Sequence, residues 1–295
     1  MKRGRSAGLI SEFLISNLRS NIFECPDYAV AFRKRSNQMT EKNDPYRELA
    51  AVYDEMTADP KVQRFYQYWR KVLLQTVSER KLKVRTLVDL MCGTGNSTVP
   101  WLRRSGWCVV GVDGSAAMLR QARKKSNRVR WYCQDVRKLQ LEEQAEAVTC
   151  HFDAINHILS PQELQEVFHL VSGILNPGGL FVFDISTEHW FRWLHGREML
   201  STIGRNYMMA SNRYDSNKRI VDFQQLWFLP RGHLYKKLLV RVRERPYTAA
   251  EIRVMARASG LRVLTVKRQW VLERKTVRLA FVLEKSPRPQ KQREI

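Results

Sequence analysis

Short apolar runs alternate with stretches of helical spacing through the middle of the chain. Leu87, Val88 and Leu90 form one run, and Cys108-Val-Val-Gly-Val-Asp113 a second that ends in an acid. Runs this short and this apolar predict buried strands over 86–91 and 108–113. The same signal marks 129–135, 147–152 and 179–185, with helical spacing over 97–104, 115–125 and 161–175. Asn176-Pro-Gly-Gly179 reads as a helix-stop turn feeding the last of these strands. Such alternation predicts a parallel sheet with right-handed crossovers. Upstream, Asp44-Pro-Tyr46 starts a helix that puts Tyr46, Leu49, Ala50, Tyr53 and Met56 on one face. Asp59-Pro60 opens a second helix, running through Phe65, Tyr68, Trp69, Val72 and Leu73.

The alternation stops after 185. Tyr207 to Ser211, Arg219 to Phe228 and His233 to Arg243 read as successive strands, turned by Asn217-Lys218 and Pro230-Arg231-Gly232. Thr248 caps a helix through Ser259, with Glu251 placed as in a capping box, and Gly260 ends it. Strands over 261–269 and 277–284 follow. The expected organisation is therefore a poorly ordered basic extension over 1–42 and a core with N-terminal cap helices over 43–185. An antiparallel insertion covering the substrate follows over 186–245, then completion of the core over 246–285 and a loose tail over 286–295.

Candidate chemistry concentrates at the first strand. Thr86-Leu-Val-Asp-Leu-Met-Cys-Gly-Thr-Gly-Asn96 carries a strand into a glycine turn, and Asn96 or Ser97 is placed to cap the next helix. Asp113 ends the second strand 20 residues after Gly93. A strand, glycine turn, helix, strand, acid unit is a nucleotide-binding arrangement, with the acid placed to accept from both hydroxyls of a ribose. Glycines admit close backbone approach, and a helix start attracts an anionic group.

Asp89-Leu-Met-Cys-Gly-Thr-Gly95 resembles the first motif of class I methyltransferases that use S-adenosylmethionine (SAM), with Met91 where a glycine is usual. The order of elements over 44–285 matches that family. The resemblance is closest to its small-molecule branch, which includes nucleotide-sugar N,N-dimethyltransferases. Val148-Thr-Cys-His-Phe-Asp-Ala-Ile-Asn-His157 and Arg245-Pro-Tyr247 look like two further motifs of that branch. The resemblance implies an α/β fold: a Rossmann-like, doubly wound seven-stranded sheet with its last strand antiparallel, an antiparallel β insertion and an N-terminal helical cap.

It also implies site residues. Gly93 and Gly95 would face the cofactor backbone, Asp89 the methionine amino end, and Asp113 the ribose. Met118 would cover the adenine, and Gln134-Asp135-Val136 would read its amino group. Cys150 and His151 would lie near the methionine portion. Tyr46, Tyr53 and Trp69 match aromatic positions that close over the cofactor, Tyr53 foremost. Methyl transfer is an in-line attack that depends mainly on positioning, and an amine or hydroxyl must also lose a proton. His157 is the first candidate base and His151 the second; Asp153 reads equally as a helix cap or a base.

Charge bears on the acceptor. The chain carries 51 basic and 29 acidic residues, a formal +22. Residues 186–295 hold 24 of the basic and 9 of the acidic ones, so the excess lies in the C-terminal third. Either an anionic acceptor or solvated surface arginine accounts for it. Five scattered cysteines without a C-x-x-C pair predict a reducing compartment and no structural zinc. No apolar run long enough for a membrane span occurs. The expectation is a cytoplasmic SAM-dependent methyltransferase acting on the N or O atom of a small molecule, anionic acceptors included, with no metal. RNA as the acceptor and a non-catalytic partner subunit are the alternatives; the sequence sets no oligomeric state.

Overall fold

The computed structural model describes residues 44–286, so the expectations placed on the first 43 residues and on the tail after 286 fall outside the described residues. Thr86–Leu90 (β1), Cys108–Asp113 (β2), Arg130–Cys133 (β3) and Ala145–Cys150 (β4) run parallel, joined by Leu175–Ser186 (β5). Leu261–Leu272 (β10) and Lys275–Lys285 (β11) complete a seven-stranded sheet in the order β10-β11-β5-β4-β1-β2-β3. β11 is antiparallel to both of its neighbours. The chain runs outward from β1 to β3 and returns to β4 on the other side of β1. That reversal opens a crevice at the carboxyl ends of β1 and β4, where ligands of such sheets sit.

Both faces of the sheet are covered, which is why its central strands are apolar throughout. On one face Val88, Leu90, Val110 and Val112 pack with Leu164, Val167, Phe168 and Val171 of the helix Pro161–Ile174 (α4) and with Ile252 and Ala256 of Ala249–Ala258 (α6). On the other, Leu87, Val109, Ala147 and Val182 meet Trp69, Val72 and Leu73 of Pro60–Glu79 (α2). Trp69 and Leu73 are essentially inaccessible, and each such side chain contributes roughly 1.5–3 kcal/mol by leaving water. Ala116–Lys125 (α3) starts at Ser115, whose hydroxyl accepts from the Met118 amide. Thr248 and Glu251 form the capping box expected at α6.

Several local expectations give way. The helix expected over 97–104 is a short 3-10 helix, Val99–Arg103, with no side-chain cap. The hydroxyls of Ser97 and Thr98 are drawn down to Asp89 and so do not cap a helix start. Tyr46 to Met56 is likewise not one helix. It is a turn, a 3-10 piece (Leu49–Ala51) and one α-helical turn and a half, Tyr53–Thr57 (α1). The strand expected to begin at 179 begins at Leu175, so Asn176 to Gly179 lie inside β5, where pairing with β4 is irregular.

After β5 a helix, Glu188–Leu194 (α5), leads into a second sheet of four antiparallel strands rather than the three expected. They are Glu198–Ile203 (β6), Asn206–Asp215 (β7), Ile220–Arg231 (β8) and Leu234–Glu244 (β9). The inward face of this sheet carries Met208, Ala210, Trp227, Leu229, Leu238 and Val240, packed on Leu49 and Val52. The N-terminal segment and the second sheet thus share one small core, and they meet above the crevice.

Candidate functional site

A cavity of about 590 Å³ occupies the crevice. Its floor is the loop after β1. Met91 (φ +51°), Gly93 (φ +56°) and Gly95 (φ +79°) all take left-handed backbone. Strain of that kind at a non-glycine residue costs on the order of 1 kcal/mol or more and persists where surrounding contacts enforce it. Here the Cys92 amide is tied to the Val112 carbonyl (3.1 Å) and the Gly93 amide to Asp113 Oδ2 (2.7 Å). The Ser115 amide donates to Asp113 Oδ1 at 2.8 Å, so the carboxylate is locked between two backbone donors. Burial raises its pKa to about 6, outweighing both amides.

The two glycines do different things. A Cβ on Gly93 would meet only the Tyr53 ring, at 3.9 Å, inside the cavity. A Cβ on Gly95 would stand 2.6 Å from a ring carbon of Trp131. Gly95 is required by packing beneath the loop and does not line the cavity. Asp89, expected at the methionine amino end, is also beneath it. Its Oδ1 accepts from Thr149 (2.7 Å) and its Oδ2 from Ser97 (2.7 Å) and Thr98 (2.6 Å), with no exposure. Cys150 is fully buried in the core, and burial pushes its thiol pKa up. Asp89, Gly95 and Cys150 are therefore supports of the site, outside its wall.

Tyr46, Tyr53, Gly93, Asp113, Met118, Asp135, Val136, His151 and His157 do border the cavity. Trp69, expected to close over the cofactor, is instead buried in the core between α2 and the sheet, and the side chain of Gln134 is turned to the Gln140 backbone. Asp135 caps the 3-10 helix Val136–Lys138 and pairs with Arg137. Burial alone would raise its pKa, but the Arg137 hydrogen bonds win and hold it below the usual carboxylate range. His151 stacks on Trp69 at 5.2 Å, and neither ring nitrogen has a hydrogen-bond partner among the described residues. Burial pushes its pKa down to about 4, which leaves a neutral packing group at neutral pH.

His157 stands differently. Its Nε2 lies 3.2 Å from the Tyr46 hydroxyl and 3.7 Å from Glu244 Oε1. Burial lowers its pKa, while Asp153 and a hydrogen bond with the Arg243 backbone work against that. Glu244 is 7% exposed; burial drives its pKa well above the ordinary value. Its Oε2 has no hydrogen-bond partner among the described residues. Sequence reading passed over Glu244. The alternation Val240-x-Val242-x-Glu244 at the end of an amphipathic strand is the signal that turns it inward.

Two further devices hold the walls. Phe152 (φ +67°) and Asp153 (φ +50°) are consecutive left-handed residues after β4. Their amides donate to Asp184, at 2.7 and 3.0 Å. Arg278, on β11, bridges Asp184 and Asp153, and Ser186 donates to Asp153 Oδ2 at 2.6 Å. Burial raises the Asp184 pKa to about 6 even with Arg278 alongside. On the opposite side Asp54 clamps α1 to the glycine loop, accepting from Thr94 (2.6 Å), Asn96 (3.0 Å) and Lys125 (2.7 Å). Asp44 accepts from the Ser115 hydroxyl at 2.5 Å.

The donor set fits SAM. The crevice offers a carboxylate fixed beside a glycine that leaves the space above it open, an apolar Met118–Val136 wall and a lid of tyrosines. Comparison with known proteins agrees. Residues 87–179 match the family described as methyltransferase domain. The cypemycin N-terminal methyltransferase of a Streptomyces species is 32% identical over 222 residues, 70% of this chain and 86% of that protein. The dTDP-3-amino-3,6-dideoxy-alpha-D-glucopyranose N,N-dimethyltransferase of Streptomyces fradiae is 30% identical over 119 residues, 40% and 45% of the two chains. Of two other curated methyltransferase relatives the chain spans about half the length, 56% and 50%. A SAM-dependent methyltransferase structure from Clostridium acetobutylicum superposes with a TM-score of 0.71 at 24% identity, covering 82% of this chain and all of that one. The chain belongs to the SAM-dependent methyltransferases, and its cofactor is SAM. Among the described residues no helix is long and apolar enough to cross a membrane.

Proposed function

We propose that the protein methylates an amine nitrogen of a small molecule held between His157, Glu244 and the second sheet. The observation that carries this is the unpartnered Oε2 of Glu244, buried in the cavity wall beside His157. A buried carboxyl oxygen left without a partner is costly, so the site is arranged for a ligand that donates there. An ammonium is the donor that a carboxylate rewards most. Two relatives whose names place methyl groups on an N-terminus and on an amino sugar nitrogen are consistent with it.

In this reading Asp113 takes the ribose hydroxyls, Gly93 the close-approaching part of the cofactor, and Met118, Asp135 and Val136 the adenine side, with Tyr53 above. Bound SAM supplies a methyl carbon activated by a sulfonium. The protein's own residues do the rest. His157, neutral because burial lowers its pKa, accepts the proton that frees the amine lone pair. Burial favours the neutral carboxyl of Glu244 while the site holds no cation. A cation formed on the ring or the amine beside it draws it toward the carboxylate, which then offsets that charge from 3.7 Å, and the Tyr46 hydroxyl fixes the ring's orientation. The lid and the second sheet exclude water.

The arginines of the insertion form no buried anion site among the described residues. Arg213 is exposed and away from the cavity; Arg241 and Arg243 border it but are exposed, and Val240, Val242 and Glu244 take the inward face of β9. Arg219 is paired with Glu251 at 2.7 Å. The relatives lend RNA no support either. The deciding experiment offers the purified protein labelled SAM with paired amine and alcohol analogues. Label is expected in the amines, and in Glu244→Gln at a rate lower by tenfold or more. Label in the alcohols alone would overturn the amine assignment.

A further inference from the structure

A second orphan acceptor shares the cavity with Glu244. Asn212, on β7, is 5% exposed and borders the cavity. Its side-chain nitrogen reaches the Arg197 carbonyl at 3.5 Å. Its Oδ1 is buried and has no hydrogen-bond partner among the described residues. Nothing in the handling of cofactor or proton uses this atom. Buried polar groups are paired in the great majority of cases, and an exception calls for a ligand or another specific cause.

The ground between the two orphans is mostly apolar, Gln225 being the polar exception, with its Oε1 already accepting from Trp227 Nε1. Asn212 pairs with Phe223, and Phe223 pairs with Val242, two residues before Glu244. Two strand spacings and two residues of rise put the Asn212 and Glu244 backbones about 12 Å apart. Phe223, Val240, Val242, Met208 and Leu194 line the cavity wall around that path. A phosphate or a chain of hydroxyls placed there would exchange water for hydrocarbon, at a cost of several kcal/mol per unpaired group. A flat or aliphatic body would not.

We infer that Asn212 is a specificity determinant for the acceptor: the cavity takes an amine on an apolar body that bears a second, neutral hydrogen-bond donor, a hydroxyl or amide N–H, at its far end. The inference rests on the amine reading above and narrows it. Glu244 receives the amine end, the Phe223–Val242 wall receives the body, and Asn212 Oδ1 accepts from the distal donor. A site built to accept a hydrogen bond rejects the analogue that lacks it, because its own buried oxygen is then stranded.

Three probes separate the terms. Tyramine has the amine, the ring and the distal donor; phenethylamine lacks the donor; 4-methoxyphenethylamine replaces it with an acceptor. Calorimetry on the full 295-residue chain loaded with S-adenosylhomocysteine should show tyramine binding about tenfold tighter than either analogue, the scale of one hydrogen bond to a buried partner. Asn212→Leu should bring the three affinities together, and Asn212→Asp should widen the gap in favour of tyramine. Retained S-adenosylhomocysteine binding checks that each variant is folded. Equal affinities in the wild type, a preference that survives Asn212→Leu, or no binding of any probe would each overturn the inference. Turnover with labelled SAM distinguishes the two levels. Amines methylated without regard to the distal donor sink the Asn212 role and spare the amine reading. Label on the tyramine oxygen alone sinks the amine reading, while the binding preference still reports on Asn212.

Discussion

The Tyr46 hydroxyl and His157 Nε2 meet at 3.2 Å across 111 residues of sequence. Tyr46 belongs to the segment that closes the cavity, and His157 ends the 3-10 helix Ala154–His157 after β4. The contact ties the segment over the cavity to the ring, whose Nε2 also faces Glu244. In the reading proposed above, a base held by the segment that covers the cavity works on an acceptor shielded from water.

His157→Ala should lower kcat by about 10²–10⁴ and leave the affinity for SAM nearly unchanged. The pH dependence follows from the lowered pKa. As the proposed base the ring is neutral throughout the neutral range, so turnover should fall only as pH drops through a value below 6.5. Tyr46→Phe should give a smaller loss with the same limb. A wild-type rate in His157→Ala from pH 6 to 9 would make the histidine structural.

SAM affinity should itself depend on pH through Asp113. Above about pH 6 the carboxylate is ionised and accepts hydrogen bonds at full strength; as pH falls through about 6 it is protonated and the charge-assisted bonds are lost. Isothermal titration across pH 5 to 8 should show affinity rising with pH. Asp113→Asn should be weak and flat over that range. Asp113→Ala should cost on the order of 1.5–3 kcal/mol in binding.

Arg278→Met leaves Asp153 and Asp184 buried together without a counter-charge. Removing one partner of a buried ionic cluster costs about 3–5 kcal/mol, so the denaturation midpoint should fall sharply. Adding Asp184→Asn removes the stranded charge and should recover part of the loss. An unchanged midpoint in the single variant would mean that the loop at Phe152 and Asp153 holds its conformation by other means.

Alanine at the two motif glycines should part company. Gly95→Ala drives a methyl group into the Trp131 ring at left-handed φ, and a stability loss of roughly 1–3 kcal/mol is expected. Gly93→Ala has open space toward Tyr53, so its penalty should appear mainly as weakened SAM binding, with a smaller stability loss from φ alone. Thermal melts with and without SAM separate the two.

The parts legible in the sequence were those fixed by local chemistry. The glycine turn, the acid at Asp113, the Thr248–Glu251 cap and the apolar strands of the doubly wound sheet each follow from a few adjacent residues. The misreadings have different causes. Ser97 and Thr98 favour a helix start by type, but the carboxylate of Asp89, on the strand that leads into their loop, claims their hydroxyls. β6 escaped notice because Glu198 to Ile203 is largely exposed and shows no alternation to detect. Asp184 and Arg278 read as ordinary charges until β5 and β11 pair and place them together.

The family match ends at residue 179, yet Asn212, Phe223, Val242 and Glu244 all come later. In the reading proposed above, most acceptor contacts thus lie in a different stretch of the chain from the glycine loop and Asp113, with His157 as the shared exception. The four-stranded sheet leaves the core after Ser186 and returns before α6, as a detachable cassette would. It does not travel alone, because Trp227 and Leu238 pack against Leu49 and Val52. On that reading the unit of acceptor choice is the sheet together with the first fourteen or so described residues, and a transplant that moved one without the other would carry a lid cut for a different box.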